Sequence, residues 1–289
     1  MRVYENTKER CVGIRVENFK LESITDIAKA IYNKYDDPHN LKKIVNSNVE
    51  TIIADVTNND EYTFGEKLIF LAQVEDLRRK KNLDEIIKGA LLSLNEESNI
   101  SSINADWLLD FYDKASKIAS EDFKPIWSRI LAEEANAPNT ISKRLLHNLF
   151  MMTSADAENF INLSRFCFFD AASDKVHPII FYRDDPDIYN AFNVTIEELN
   201  NLENFSLIKC DFEYGFSFKS NTSNTIKLFR YTNHKIEVYA ERIKCGNVQF
   251  TKDGEALFEI IQKRNHSQVL DITAAKWREY GYDVKINNK

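Results

Sequence analysis

The chain has 289 residues, enough for one large domain or two, and a formal net charge of −7 from 45 acidic and 38 basic residues. A dominant phosphate-binding surface needs a clustered basic field, so this balance argues against one while leaving room for a local basic patch. With 43% hydrophobic residues but only 7 Gly and 5 Pro, the chain favours long helices over a turn-rich β-sandwich.

Cys11, Cys167, Cys210 and Cys245 are widely separated and form no CxxC pair, the pattern of buried thiols in a reducing cytosol rather than of a disulfide framework. The first residues lack an apolar signal core, and no run of about 18 apolar residues occurs. A cytoplasmic protein with no membrane span is therefore expected.

Weak alternation at Val12, Ile14 and Val16 fits a short strand or an irregular arm. From Ser23 the spacing of Ile24, Ile27, Ala28 and Ile31 is helical, and Pro38 stops that helix. A second helix is predicted from about Leu41 to Ala54. The stretch from Phe64 to Glu97 reads as one long helix or as two joined near Asn82. Within it lies the basic run Arg78, Arg79, Lys80 and Lys81, which is either a solvated helix face or a contact for phosphates or an acidic partner.

The centre is the most strongly patterned part. Trp107, Leu108, Phe111, Ala115 and Ile118 share one helical face. Phe123, Ile126, Trp127, Ile130 and Leu131 follow at i, i+3, i+4, i+7 and i+8, a full amphipathic pattern. Ser120 or Asp122 is the expected cap of this helix, and a cap at Asp122 would put Pro125 in the first turn, where it is tolerated. The stretch NAPNT ends it, and Leu145, Leu146, Leu149 and Phe150 stripe another helix.

Glu133 and Glu134 invite a catalytic reading, but adjacent helix residues point about 100° apart and cannot form a facing dyad. Glu134 lies on the Trp127 face. Arg144 is expected to reach back to it across the turn, with Ser142 capping the next helix. Asp106 is expected to be a cap or a first-turn acid.

After Phe160 the character changes. FCFFDAAS and HPIIFYRD look like strands, and Thr195 with Glu198 forms a capping box ahead of TIEELNNLENF. LIKCDFEYGFSFK, IKLFRYTN and KIEVYA are strand-like, and VQFTKDGEALFEII is a strand, a Thr cap and a helix. The order is that of a winged-helix-like module. The expected fold is mainly α with an α+β C-terminal part, as a helical domain over residues 1–152 and a winged-helix-like domain over 153–289.

The stretch NADWLLDFYDKASKIASEDFKPIWSRILAEEANAPNTISKRLL resembles an uncharacterised bacterial family, a domain of unknown function. That family carries an Asp-Trp helix, a Trp-x-x-[Ile/Leu]-Leu-Ala-x-Glu helix and a Pro-x-x-x-Ser-x-Arg turn. These fall on Asp106 and Trp107, on Trp127, Ile130, Leu131, Ala132 and Glu134, and on Pro138, Ser142 and Arg144. Lys124 replaces an expected Gln, Pro125 is unusual, and Asn139 replaces the Gly of the turn. The resemblance implies no established activity, only a weak link to accessory genes such as those of phage defence.

Lys209, Lys219, Lys227, Arg230, Lys235, Arg242 and Lys244 populate the wing region. Major-groove reading needs a cationic recognition helix, and here that helix carries three Glu and no Lys or Arg. Asp184, Asp185 and Asp187 suggest a turn more than a metal site, since no Glu-x-Lys accompanies them. His39, His147, His177, His234 and His266 show no ligand spacing, and phosphate-loop and nucleophile-elbow motifs are absent. No cofactor, metal or catalytic residue is expected. The leading expectation is a non-enzymatic interaction or regulatory protein with a protein partner or a second copy of itself. Nucleic-acid binding through the basic helix and wing, or a metal-dependent nuclease, are the alternatives.

Overall fold

The computed structural model describes residues 57–58, 60, 62–96, 98–219, 226–261 and 263–288. The arm around Val12–Val16, the helices predicted between Ser23 and Ala54, Cys11 and His39 lie outside the described residues. The chain divides into two compact units, Met1–Lys81 and Asn82–Lys289. Helix α1, Phe64–Leu91, is one uninterrupted helix. Its start is fixed reciprocally: the Thr63 amide donates to Glu66 at 2.8 Å, and the Glu66 amide donates to the Thr63 hydroxyl.

The second unit opens with helices α2 (Ala105–Ala115), α3 (Lys124–Asn136) and α4 (Lys143–Met151). Each buries the stripe its spacing predicts. Trp107 stacks on Phe111 at 5.3 Å, and Phe111 meets Trp127 at 5.6 Å. Trp127, Ile130, Leu145 and Leu146 are fully buried. Asn104 caps α2, leaving Asp106 in its first turn. Helix α3 starts from Phe123 without a side-chain cap, so neither Ser120 nor Asp122 has the expected role, although Pro125 does fall in the first turn. Proline there has no N–H that needs an acceptor, and its fixed φ suits the first turn.

Helix α5, Ser154–Ser164, begins with a capping box between Thr153 and Asp156. Then come strands β1 (Cys167–Asp170) and β2 (Val176–Pro178), a short helix α6 (Pro186–Asn190) and helix α7 (Ile196–Asn204), whose Thr195–Glu198 capping box is present as predicted. Strands β3 (Ile208–Cys210), β4 (Phe216–Lys219), β5 (Ile226–Tyr231), β6 (His234–Tyr239), β7 (Arg242–Gly246) and β8 (Val248–Phe250) follow. Helices α8 (Lys252–Ile260) and α9 (Ser267–Glu279) and strand β9 (Asp283–Asn288) complete the unit.

The winged-helix-like order is carried by α5, a bridge from Ile180 to Gly246, α6, α7 and the antiparallel pairs β3–β8 and β4–β7. At Gly246, φ is +96° and an added Cβ would lie 2.0 Å from the Ile180 carbonyl oxygen, so the crossing requires glycine. The wing is larger than its sequence suggests. Its tip extends into β5 and β6, which join an antiparallel sheet of order β2-β1-β5-β6-β9. One face of that sheet packs on α9, where Trp277 stacks on Phe229 at 5.2 Å. The other carries Arg230, Lys235 and Glu237 and meets α8 at its β1 end, where Phe169 contacts Phe258.

The helices and the sheet share one core running from Ile86 to Val284. Arg129 on α3 donates to the Ile260 carbonyl at 2.8 Å, and Asn148 on α4 donates to the Phe205 carbonyl at 2.6 Å. Thr153, the expected domain boundary, is a helix cap within this unit.

His177 on β2 packs edge-on against Phe218, 4.5 Å between ring centroids. Burial lowers its pKa to about 4, with the nearby charge of Asp170 opposing the shift. The neutral ring is the folded form, so its stabilising contribution is complete above the unfolded pKa of about 6.5 and is lost as pH falls toward 4. A loss of up to about 3 kcal/mol over that window is expected in urea titrations, and His177→Gln should flatten the pH profile there.

Candidate functional site

The sequence signature assembles around one turn. Glu134, 1% exposed, accepts the Asn139 amide at 2.7 Å through Oε1 and the Ile141 amide at 2.9 Å through Oε2. The Trp107 indole donates to the Ile141 carbonyl at 2.8 Å. Both backbone polar groups of Ile141 are thus satisfied by signature side chains. Pro138 precedes Asn139, whose φ of +69° is the left-handed conformation that glycine or asparagine adopts most readily. That is why asparagine can stand where the family pattern has glycine.

The expected Glu134–Arg144 tie is not formed. Both Glu134 oxygens are committed to backbone amides, and Arg144 instead donates to Asp253 on α8 at 2.7 Å. Ser142 caps α4 by accepting the Leu145 amide at 2.9 Å and donates its own proton to Asp253 at 2.8 Å. Asp253 is 4% exposed, so a buried carboxylate binds the starts of α4 and α8 together. The acid, serine and arginine of the signature are thus engaged in a turn and a helix junction.

The basic run divides its charge locally. Arg78 and Arg79 both donate to Glu75 at 2.8 Å, and Lys80 pairs with Asp76 at 2.7 Å. Hydrogen bonds from the two arginines hold the Glu75 carboxyl down at about 2. Much of the positive charge of the run is therefore answered one turn earlier on α1.

In the wing, Lys227 pairs with Asp170 at 2.6 Å, Lys244 lies 4.1 Å from the centroid of the Tyr280 ring, and Arg242 donates to Ser217 at 2.6 Å. Asp184 accepts from the Tyr280 hydroxyl, while Asp185 and Asp187 start α6. Among the described residues no three His, Cys, Asp or Glu side chains are grouped to hold a metal ion. Cys167, Cys210 and Cys245 are free thiols, and burial pushes all three above their ordinary pKa, so none is poised as a thiolate nucleophile.

Among the open features of the described residues, two bear on partner or ligand binding. The outer side of α7 exposes Ile196, Glu197, Asn200, Glu203 and Asn204. On the far side of β5 and β6, a cleft of about 340 Å³ is lined by Arg230, His234 and Lys235 from the sheet and by Phe258 and Lys263 from α8 and the segment after it. An adjoining cleft of about 600 Å³ carries Arg165, Arg264 and His266. The lysine and arginine content of this region was legible in sequence only on the β5–β6 side. Lys263 arrives from more than two dozen residues downstream, with no local signal that it faces the same space.

The class so defined is an α+β protein whose winged-helix-like core is enlarged by an antiparallel five-stranded sheet. The chain belongs to the family described as Protein of unknown function (DUF2806), which matches residues 70–272 and so includes the signature turn and both walls of the basic cleft. Neither the curated proteins nor the solved structures give a match to the chain. No helix among the described residues is long and apolar enough to cross a membrane.

Glu134→Gln should destabilise the chain by about 1–3 kcal/mol in denaturant titrations, because one amide of the turn loses its acceptor and faces a second donor in a buried site. Asp253→Ala should cost a similar amount, about 1–3 kcal/mol. Arg144→Ala should cost less than Asp253→Ala, since its side chain is 61% exposed and water can replace the lost contact.

Proposed function

We propose that the chain acts by binding rather than by catalysis, as a cytoplasmic interaction and regulatory protein. Its docking surface is the outer side of α7, and the partner is a protein segment carrying basic residues. The observation that carries this reading is the exposed face of α7 itself, Ile196, Glu197, Asn200, Glu203 and Asn204. In a winged-helix-like order this is the helix placed to meet a ligand, and it offers acid, amide and one apolar side chain but no cation. Duplex DNA would be repelled by such a face, while a basic protein surface would be attracted. The capping box at Thr195 holds the helix start rigid, which limits the ordering cost of docking.

The assignment to a regulatory role rests on the same logic. Acidic side chains at the rim of a contact govern encounter rate and partner choice more than raw affinity, as suits a reversible interaction. In fluorescence anisotropy, duplex DNA should show no binding that weakens between about 50 and 200 mM salt. A partner recovered from native cells with the wild-type chain should be lost with the Glu197→Lys, Asn200→Lys double variant. Tight, steeply salt-dependent DNA binding, or retention of the partner by the double variant, would overturn the reading.

A further inference from the structure

Arg230 and Lys235 stand directly opposite each other across β5 and β6. Side chains so paired have Cβ atoms about 4.5–5.5 Å apart, and like charges in that position destabilise a sheet. The structure relieves this only in part. A terminal guanidinium nitrogen of Arg230 donates to Asp174, but the Nε–H of the same group is buried with no acceptor. Lys235 is exposed and makes no ion pair with any described residue. A third cation converges from another element: the Lys263 ammonium lies 4.6 Å from the centroid of the Phe258 ring and 5.5 Å from that of Phe169, with Glu259 as its ion-pair partner at 2.8 Å.

We propose that this cleft is a binding site for a small phosphomonoester of about nucleotide size, its phosphate seated among Arg230, Lys235 and Lys263. A buried donor with no acceptor and a cross-strand cation pair that Asp174 relieves only on the Arg230 side are both costs that an anion between them removes. The donor geometry selects the anion. A carboxylate engages arginine best through two parallel N–H groups, and Asp174 already holds one end of this guanidinium. Beyond that contact stand the Nε–H and remaining guanidinium N–H groups of Arg230, the Lys235 ammonium, and the Lys263 ammonium that Glu259 also pairs. Donors spread over three separate elements suit an anion with several outward oxygens.

The rest of the cleft says that the ligand carries more than phosphate. Its volume of about 340 Å³ is at the lower end of small-molecule sites, and beyond the cations its walls include Phe169, Phe258 and Cys167, with Ser164, Thr232 and Asn265 as polar contacts. The thiol of Cys167 is pushed well up by burial, so it packs against the ligand as an apolar group and forms no covalent bond to it. The site lies apart from the α7 surface and supplies a ligand input to a protein that otherwise docks a partner.

The test is isothermal titration calorimetry of the full chain with adenosine 5′-monophosphate, adenosine and inorganic phosphate. The monophosphate and inorganic phosphate should bind, and adenosine should bind at least about tenfold more weakly than the monophosphate, the scale of one or more lost charge-assisted hydrogen bonds. Arg230→Gln and, separately, Lys235→Ala should each weaken the monophosphate by about tenfold. Lys235 is exposed, so its alanine variant keeps the fold, as circular dichroism will register. Lys235→Glu should abolish binding yet raise the Tm of the unliganded chain, because it turns a repulsive cross-strand pair into an attractive one. Equal affinity for adenosine and its monophosphate, no binding of either phosphate compound at millimolar concentration, or wild-type affinity in Lys235→Ala would overturn the proposal.

Discussion

The second unit depends on how a single carboxylate treats the turn between α3 and α4. Residues 137–141 leave a helix, pass a proline and a left-handed asparagine, and enter another helix with the Ile141 backbone out of reach of water. An unmet amide in such a place costs about as much as a lost hydrogen bond to a charged group. Glu134 meets two of these amides at once, and Trp107 meets the facing carbonyl. With the turn fixed, Ser142 and Arg144 are delivered to Asp253, and through it α4 is registered against α8. The position of α8 then decides where Phe258 and Lys263 stand relative to the sheet. A chain of short polar contacts thus runs from the family signature to the wall of the cleft.

That chain also explains why an acidic protein can present a basic recess. Net charge counts every residue equally, whereas a site responds to what is left after neighbours have paired. Along α1, Arg78 and Arg79 share Glu75 and Lys80 pairs with Asp76, so acids three or four residues away answer part of a run that looks prominent in sequence. Around Arg230 the pairing is incomplete: the cations come from β5, β6 and the segment after α8, and among the described residues Asp174 pairs with Arg230 and Glu259 with Lys263, while Lys235 has no ion pair. Local deficit, not total count, makes the patch.

Much of the fold was legible because its signals are local. Trp107, Phe111 and Ala115, or Phe123, Trp127 and Ile130, lie within two helical turns, and the period alone assigns them to the core. The Thr195–Glu198 capping box is likewise a four-residue pattern. Asp253 is more than a hundred residues from Ser142 and Arg144, so the nearer Glu134 was the natural partner to expect for Arg144. What decided the outcome was competition: backbone amides that cannot reach water hold Glu134 more strongly than a side chain that can. The last helix and strand carry local signals too, since Val269, Leu270, Ala274 and Trp277 have helical spacing and Val284 and Ile286 alternate. Not legible at all was the placement of β5 and β6, because a hairpin sequence does not say which distant strand it will pair with.

The same pairing bears on why the Arg230–Lys235 opposition is there. Register in a sheet with one buried face is not free: Phe229 and Ile236 must point toward Trp277, and a slip of one residue would turn them to solvent. Once those apolar residues are set, positions 230 and 235 face each other on the open side whatever they carry. An acid at either position would have satisfied the sheet, and the neighbouring strand pair does carry an acid opposite a base, Glu237 with Lys285. Two cations on the constrained pair, with a buried donor beside them, therefore break a rule that the adjacent pair obeys. Departures of that kind concentrate where a molecule serves something other than its own stability.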